Sequence, residues 1–197
     1  MRFTVPLAVL LLVLGFSSAG AFAPVAADRA QGVPPGIEVV SSDEHGMSLV
    51  FELEELVTAN ASVGGEEFQV LSIPGGGFSG EVGAPAIPTF ARFVPVPEGA
   101  TVEVRAVPLE EEEIAGVRLI PVQAGDGSEF AYDPEAYGST VTDAVPRAQV
   151  GRSVKFRDLP VAALTFRPVR YDPVRRTALV ARGLKPCVCA SNSTASS

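Results

Sequence analysis

Beyond residue 36 the chain alternates apolar and polar positions in steps of two. Ile37-Glu38-Val39-Val40 reads as a short strand, followed by a polar turn over Ser41–Gly46. Ser48–Glu54 places Leu49, Phe51 and Leu53 on one face. Glu66–Ile73 sets Phe68, Val70 and Ser72 opposite Gln69, Leu71 and Ile73. Thr101–Val107 alternates cleanly, with Val102, Val104 and Ala106 inward. Val117–Val122, Ser153–Phe156, Ala162–Val169 and Thr177–Arg182 complete the set. Period two with turn residues between short runs predicts antiparallel sheets with one buried face. Their regular spacing predicts a sandwich or a barrel. The helical candidates are short: Glu110–Ala115 and a turn at Pro134–Tyr137. This is an all-β pattern without an internal repeat.

The first 27 residues follow a different pattern. Arg2 precedes an uninterrupted apolar run, Pro6–Leu14, and then the small residues Ser17-Ser18-Ala19-Gly20-Ala21. This is the layout of a cleaved secretory signal peptide, and the run is shorter than the roughly 20 residues a spanning helix needs. Residues 28–36 read as a linker, 37–185 as the β domain and 186–197 as a disordered tail. The expected mature protein is secreted, with no membrane association after cleavage.

Composition narrows the function. The 197 residues include 15 basic, 23 acidic, one His and two Cys, with no Trp. A net charge of −8 argues against a nucleic-acid partner, because neutralising phosphates needs a basic surface. The charge is unevenly placed. Asp28–Pro146 holds 21 acidic and four basic residues, whereas Arg147–Ser197 holds two acidic and ten basic. An acidic front therefore meets a basic back at Arg147, and such a split would help to orient a partner.

No motif carries catalysis. His45 lies in a hydrophilic turn, and Cys187-Val188-Cys189 falls at the edge of the expected tail, where a Cys–His pair has no fixed geometry. Two thiols one residue apart cannot staple distant segments, and no further ligand stands near them for a metal. The glycine-rich Ile73–Gly83 lacks the Lys and the helix of a phosphate loop and reads as a flexible connection. Glu110–Glu113 reads as a solvated acidic loop, since calcium loops alternate ligands with turn residues. No metal, cofactor or enzyme activity is expected of the chain by itself.

The order of elements from Gly83 onward is more specific. Gly83-Ala84-Pro85-Ala86-Ile87-Pro88 leads into Phe90–Val94, then Val96-Pro97-Glu98-Gly99-Ala100 and the strand Thr101–Val107. Tyr132-Asp133-Pro134-Glu135-Ala136-Tyr137 follows, then Val145-Pro146, Phe166-Arg167-Pro168-Val169-Arg170-Tyr171-Asp172-Pro173 and a closing strand at Thr177–Arg182. Over roughly Val39 to Arg182 this resembles the N-terminal propeptide of gingipain-type cysteine peptidases. The elements also make physical sense. Pro97 presets one turn position and Gly99 supplies positive φ, while Asp172-Pro173 starts a second reversal.

The resemblance implies an antiparallel, jelly-roll-like β-sandwich prodomain that assists folding and keeps a zymogen latent by covering the active-site cleft. The implied partner is the cognate cysteine protease domain, which this sequence does not contain. Relatives place a basic side chain from a prodomain loop in the protease's specificity pocket. In Thr140–Val154 the candidates are Arg147 and Arg152. After Arg182 the chain departs from the family pattern and passes into a Ser/Ala/Asn/Thr ending, as a truncated or frame-shifted reading frame would. The alternative is a stand-alone secreted β-sandwich adhesion or carbohydrate-binding module, which would show exposed aromatics.

Overall fold

The structure, a computed structural model, describes residues 31–43, 46–98, 100–125, 129–139 and 145–192. The expected signal peptide, His45 and Gly99 lie outside them. Among the described residues the strands are β1 (Gly36–Asp43), β2 (Gly46–Glu52), β3 (Val57–Val63), β4 (Glu66–Ser72), β5 (Gly77–Ser79) and β6 (Ile87–Pro95). They continue with β7 (Ala100–Ala115), β8 (Ala148–Phe156), β9 (Leu159–Phe166), β10 (Val169–Asp172) and β11 (Thr177–Asn192). The helix among the described residues, α1 (Pro134–Gly138), is a single turn at the predicted place, capped by Asp133, whose carboxylate accepts from the backbone N–H groups of Glu135 and Ala136.

β11 organises the first sheet. Along one edge it pairs with β7 from Thr177↔Ala115 to Asn192↔Ala100. Along the other it pairs first with β10 and then with β2, which in turn pairs with β1. The ladder to β2 skips Lys185 and Pro186, where proline has no N–H to donate. The second sheet runs β5-β6-β9-β8, and β3-β4 forms a separate hairpin. Gly64 and Gly65 close that hairpin with φ of +62° and +82°, a two-residue turn whose twist matches the strands.

The sheets face each other across one core. Leu49 and Phe51 of β2 and Val180, Leu184 and Val188 of β11 meet Phe90 of β6 and Leu164 and Phe166 of β9. The Phe51 ring stacks on Phe166 at 4.6 Å and tilts against Phe90 at 6.1 Å. Each such aromatic removed from water contributes about 1.5–3 kcal/mol. This is the antiparallel β-sandwich that the alternation and the resemblance predict.

A smaller core of Phe68, Ala86 and Ile120 lies to one side. Segment 117–122, predicted as a strand, forms only isolated bridges, Gln69↔Leu119 and Pro85↔Pro121. Three tyrosines complement that segment. The Tyr171 hydroxyl donates to the Val117 carbonyl at 3.0 Å, the Tyr137 hydroxyl donates to the Leu119 carbonyl at 2.5 Å, and Tyr132 stacks on Tyr137 at 4.6 Å. The Tyr…Tyr spacing of the sequence thus anchors a segment with no full ladder of its own.

Three expectations need correction. Glu110–Ala115 is the end of β7 rather than a helix. Helix propensity is a weak preference, and here a full edge of β11 is available to pair. The expected disordered tail is ordered over Pro186–Asn192, which continue β11 and bury Val188. Its polar residues fall on exposed positions between buried ones, so composition misread an amphipathic strand as disorder. Ile73–Gly83 is built rather than a flexible connection. It contains β5, and Gly76 sits so close to β6 that a Cβ would lie 2.4 Å from the Thr89 carbonyl oxygen.

Candidate partner-docking surface

Arg147 and Arg152 enter the structure differently. Arg147 is 4% exposed. Its guanidinium donates to the Pro168 carbonyl, to the Leu179 carbonyl at 3.5 Å and to the Glu111 carboxylate. It therefore bridges β7, the turn before β10, and β11. The exposure that made it a candidate for another protein's pocket is absent, because the long acidic edge of β7 supplies a partner that its sequence neighbours do not reveal. Arg152 is exposed, and it lies where the β8–β9 register shifts between Val150 and Ser153. Such a bulge re-aims side chains.

Part of the charge split along the chain is matched internally. Glu111–Arg147, Glu112–Arg182 and Glu98–Lys155 each join the acidic front to the basic back. Arg182 lies 2.6 Å from Glu112, and its hydrogen bond holds that carboxyl below the usual carboxylate range. Folding thus brings parts of the acidic front and the basic back into contact.

What sequence reasoning missed is the outer face of the β6-β9-β8 sheet. Directly opposed residues of an antiparallel pair share a face. Phe90, Val94, Ala162, Leu164 and Phe166 point into the core, so Phe93, Val154, Phe156 and Leu159 point out through the pairings Phe93↔Ala163, Val154↔Val161 and Phe156↔Leu159. Phe93 is 71% exposed and Phe156 65%. Exposed Arg152, in the bulge, and Arg157, whose guanidinium lies 5.7 Å from the Phe156 ring, flank this apolar strip. Arg157 and Asp158 take φ of +48° and +69° at the hairpin tip. The available signal is that Phe90–Val94 and Leu159–Phe166 are apolar on both parities, which marks strands wanting cover on both faces. A contiguous apolar face on a soluble domain marks an interaction site.

A groove of about 530 Å³ lies elsewhere, between β5–β6 and β10, with Ile87, Val169 and Tyr171 beside Arg167 and Arg170. Among the described residues no group of three or more His, Cys, Asp or Glu is placed to hold a metal ion. No helix among them is long and apolar enough to cross a membrane.

The chain is 32% identical over 136 residues to Lys-gingipain HG66 and to Lys-gingipain W83 of Porphyromonas gingivalis, a match covering 63% of this chain and 8% of each relative. The chain thus spans a small part of the curated relatives it matches. Its fold is similar, with a TM-score of 0.70 and 25% identity over 84% of this chain and 97% of the other, to a structure described as giving insight into zymogenic latency of gingipain K from the same organism. It is also similar in fold, with a TM-score of 0.73 and 19% identity over 81% of this chain and 86% of the other, to a complex of the pro- and mature domains of RgpB from that organism. Residues 28–197 match the family Propeptide_C25, and the chain belongs to this propeptide family of gingipain-type cysteine peptidases.

Proposed function

We propose that this chain is the prodomain of an exported gingipain-like cysteine endopeptidase, which assists folding of the peptidase domain and keeps it latent by covering the active-site cleft. The observation that carries this reading is the similarity over 84% of the chain to a gingipain K structure described in terms of zymogenic latency. The basic-rimmed apolar face of β6, β9 and β8 is the surface such a partner covers. A complementary peptidase surface is apolar with acidic groups at its margin. Arg152 is the candidate side chain for the specificity pocket. Arg147 acts within the prodomain.

Purified chain added to mature Lys-gingipain and to the mature domain of RgpB tests the reading. Inhibition of substrate hydrolysis is expected, and Arg152→Ala weakens it by about tenfold or more, since a buried interfacial Arg commonly contributes over 1.4 kcal/mol. Inhibition unchanged in the Arg152→Ala variant removes that side chain from the role. Failure of the chain both to inhibit either peptidase and to improve its refolding overturns the function. The exposed Phe93 and Phe156 meet one expectation of a carbohydrate-binding module. The residues between them on that face, Val161 and Ala163, are aliphatic, which favours a protein partner.

A further inference from the structure

The ordered end of β11 carries two thiols that the prodomain reading does not use. Cys187 and Cys189 are both exposed free cysteines, while Val188 between them is buried in the core. Their sulfurs are 3.5 Å apart on one face of the strand. The backbone there is held on both sides. Cys187 pairs with Ser48 of β2 and Arg105 of β7, and Cys189 pairs with Gly46 and Glu103.

This geometry opposes a direct bond between the sulfurs. A disulfide needs them at about 2.05 Å, with Cα atoms usually about 4.4–6.8 Å apart. Two residues along a strand hold their Cα atoms about 6.6 Å apart, at the long end of that range, and neighbours on both edges resist shortening. A single atom bonded to both sulfurs makes no such demand. Metal–thiolate bonds of about 2.3 Å reach across the observed gap, and side-chain rotation alone opens the S–metal–S angle.

We propose that Cys187 and Cys189 form a two-thiolate binding site for a soft, thiophilic monovalent cation, represented by Cu(I). Thiolates select Cu(I) over hard cations. Structural zinc sites need four ligands, and the described residues offer no third or fourth beside the pair. On binding, each S–H releases its proton to solvent and two S–Cu bonds form, with no change of oxidation state. Thiols bind metal as thiolates, so binding displaces their protons and affinity rises with pH. Among the described residues, charged groups near the pair are Asp43, Glu103, Arg105 and, two residues back along β11, Lys185.

The test uses the purified, reduced chain and does not depend on any peptidase. Cu(I) is titrated in competition with a chromophoric Cu(I) chelator, beside Cys187→Ser, Cys189→Ser and the double variant, with circular dichroism confirming the fold of each. One Cu(I) per monomer is expected, with affinity falling at least about tenfold in either single variant. Phenylarsine oxide, which links two close thiols, is expected to add once to the wild type and not to the single variants. Absence of Cu(I) uptake, equal uptake by the double variant, or one Cu(I) bridging two chains overturns the site.

Discussion

Replacing Arg147 by methionine separates a structural role from an inhibitory one. Methionine keeps most of the apolar stem and removes the guanidinium. Lost with it are hydrogen bonds to the Pro168 and Leu179 carbonyls and the contact to Glu111. Breaking a fully buried ion pair costs about 3–5 kcal/mol. Two features reduce that here. The Glu111 side chain is 32% exposed and regains water, and the Pro168 carbonyl keeps the Ala181 N–H as a donor at 2.8 Å. The expected loss is therefore about 2–3 kcal/mol, or roughly 4–12 °C in Tm for a domain of this size. Urea unfolding followed by circular dichroism measures it, with an unchanged m-value showing that both end states are preserved. Glu111→Gln in the same background is expected to recover part of the sum of the single losses, by about 1 kcal/mol, because the two groups share one interaction. A loss below about 0.5 kcal/mol in Arg147→Met, with inhibition of a mature gingipain abolished, would refute the reasoning.

Other outcomes follow from the same geometry. Phe51→Ala removes a wholly buried ring stacked between the sheets and should cost about 3–5 kcal/mol by the same unfolding assay. Gly65→Ala places a Cβ in open space but at φ +82°, so a destabilisation of about 1–2 kcal/mol would come from backbone strain alone. Burial pushes the Tyr137 and Tyr171 hydroxyls above the ordinary value of 10.0. Folded protein then holds protons that the unfolded chain releases, so stability is complete below about pH 10 and declines as pH rises further. Tyr137→Phe should flatten that alkaline decline in urea midpoints measured across pH 9–12. Arg182→Gln should return the Glu112 carboxyl toward its ordinary value of 4.5, read by NMR titration.

Much of the fold was legible because strand periodicity is a local property. Leu49, Phe51 and Leu53 are buried as their alternation predicts, and the turns after Pro97 and Asp172 reverse the chain where Pro and Asp set them. The order of Pro, Gly and Tyr elements was also enough to reach the family. By itself, then, the sequence determined an all-β class, the identity of the main core residues and the propeptide resemblance, since each depends on neighbours a few residues apart. Only the tertiary structure decided what depends on distant partners. The four glutamates extend a strand because β11 lies beside them, and Arg147 is buried because Glu111 arrives from 36 residues away. Polar spacing could not tell the continuation of β11 from a frayed end until β2 and β7 were there to pair with it. Phe93 and Phe156 look like core residues in one dimension. They face solvent because, among the described residues, no third layer packs against the outer side of β6, β9 and β8.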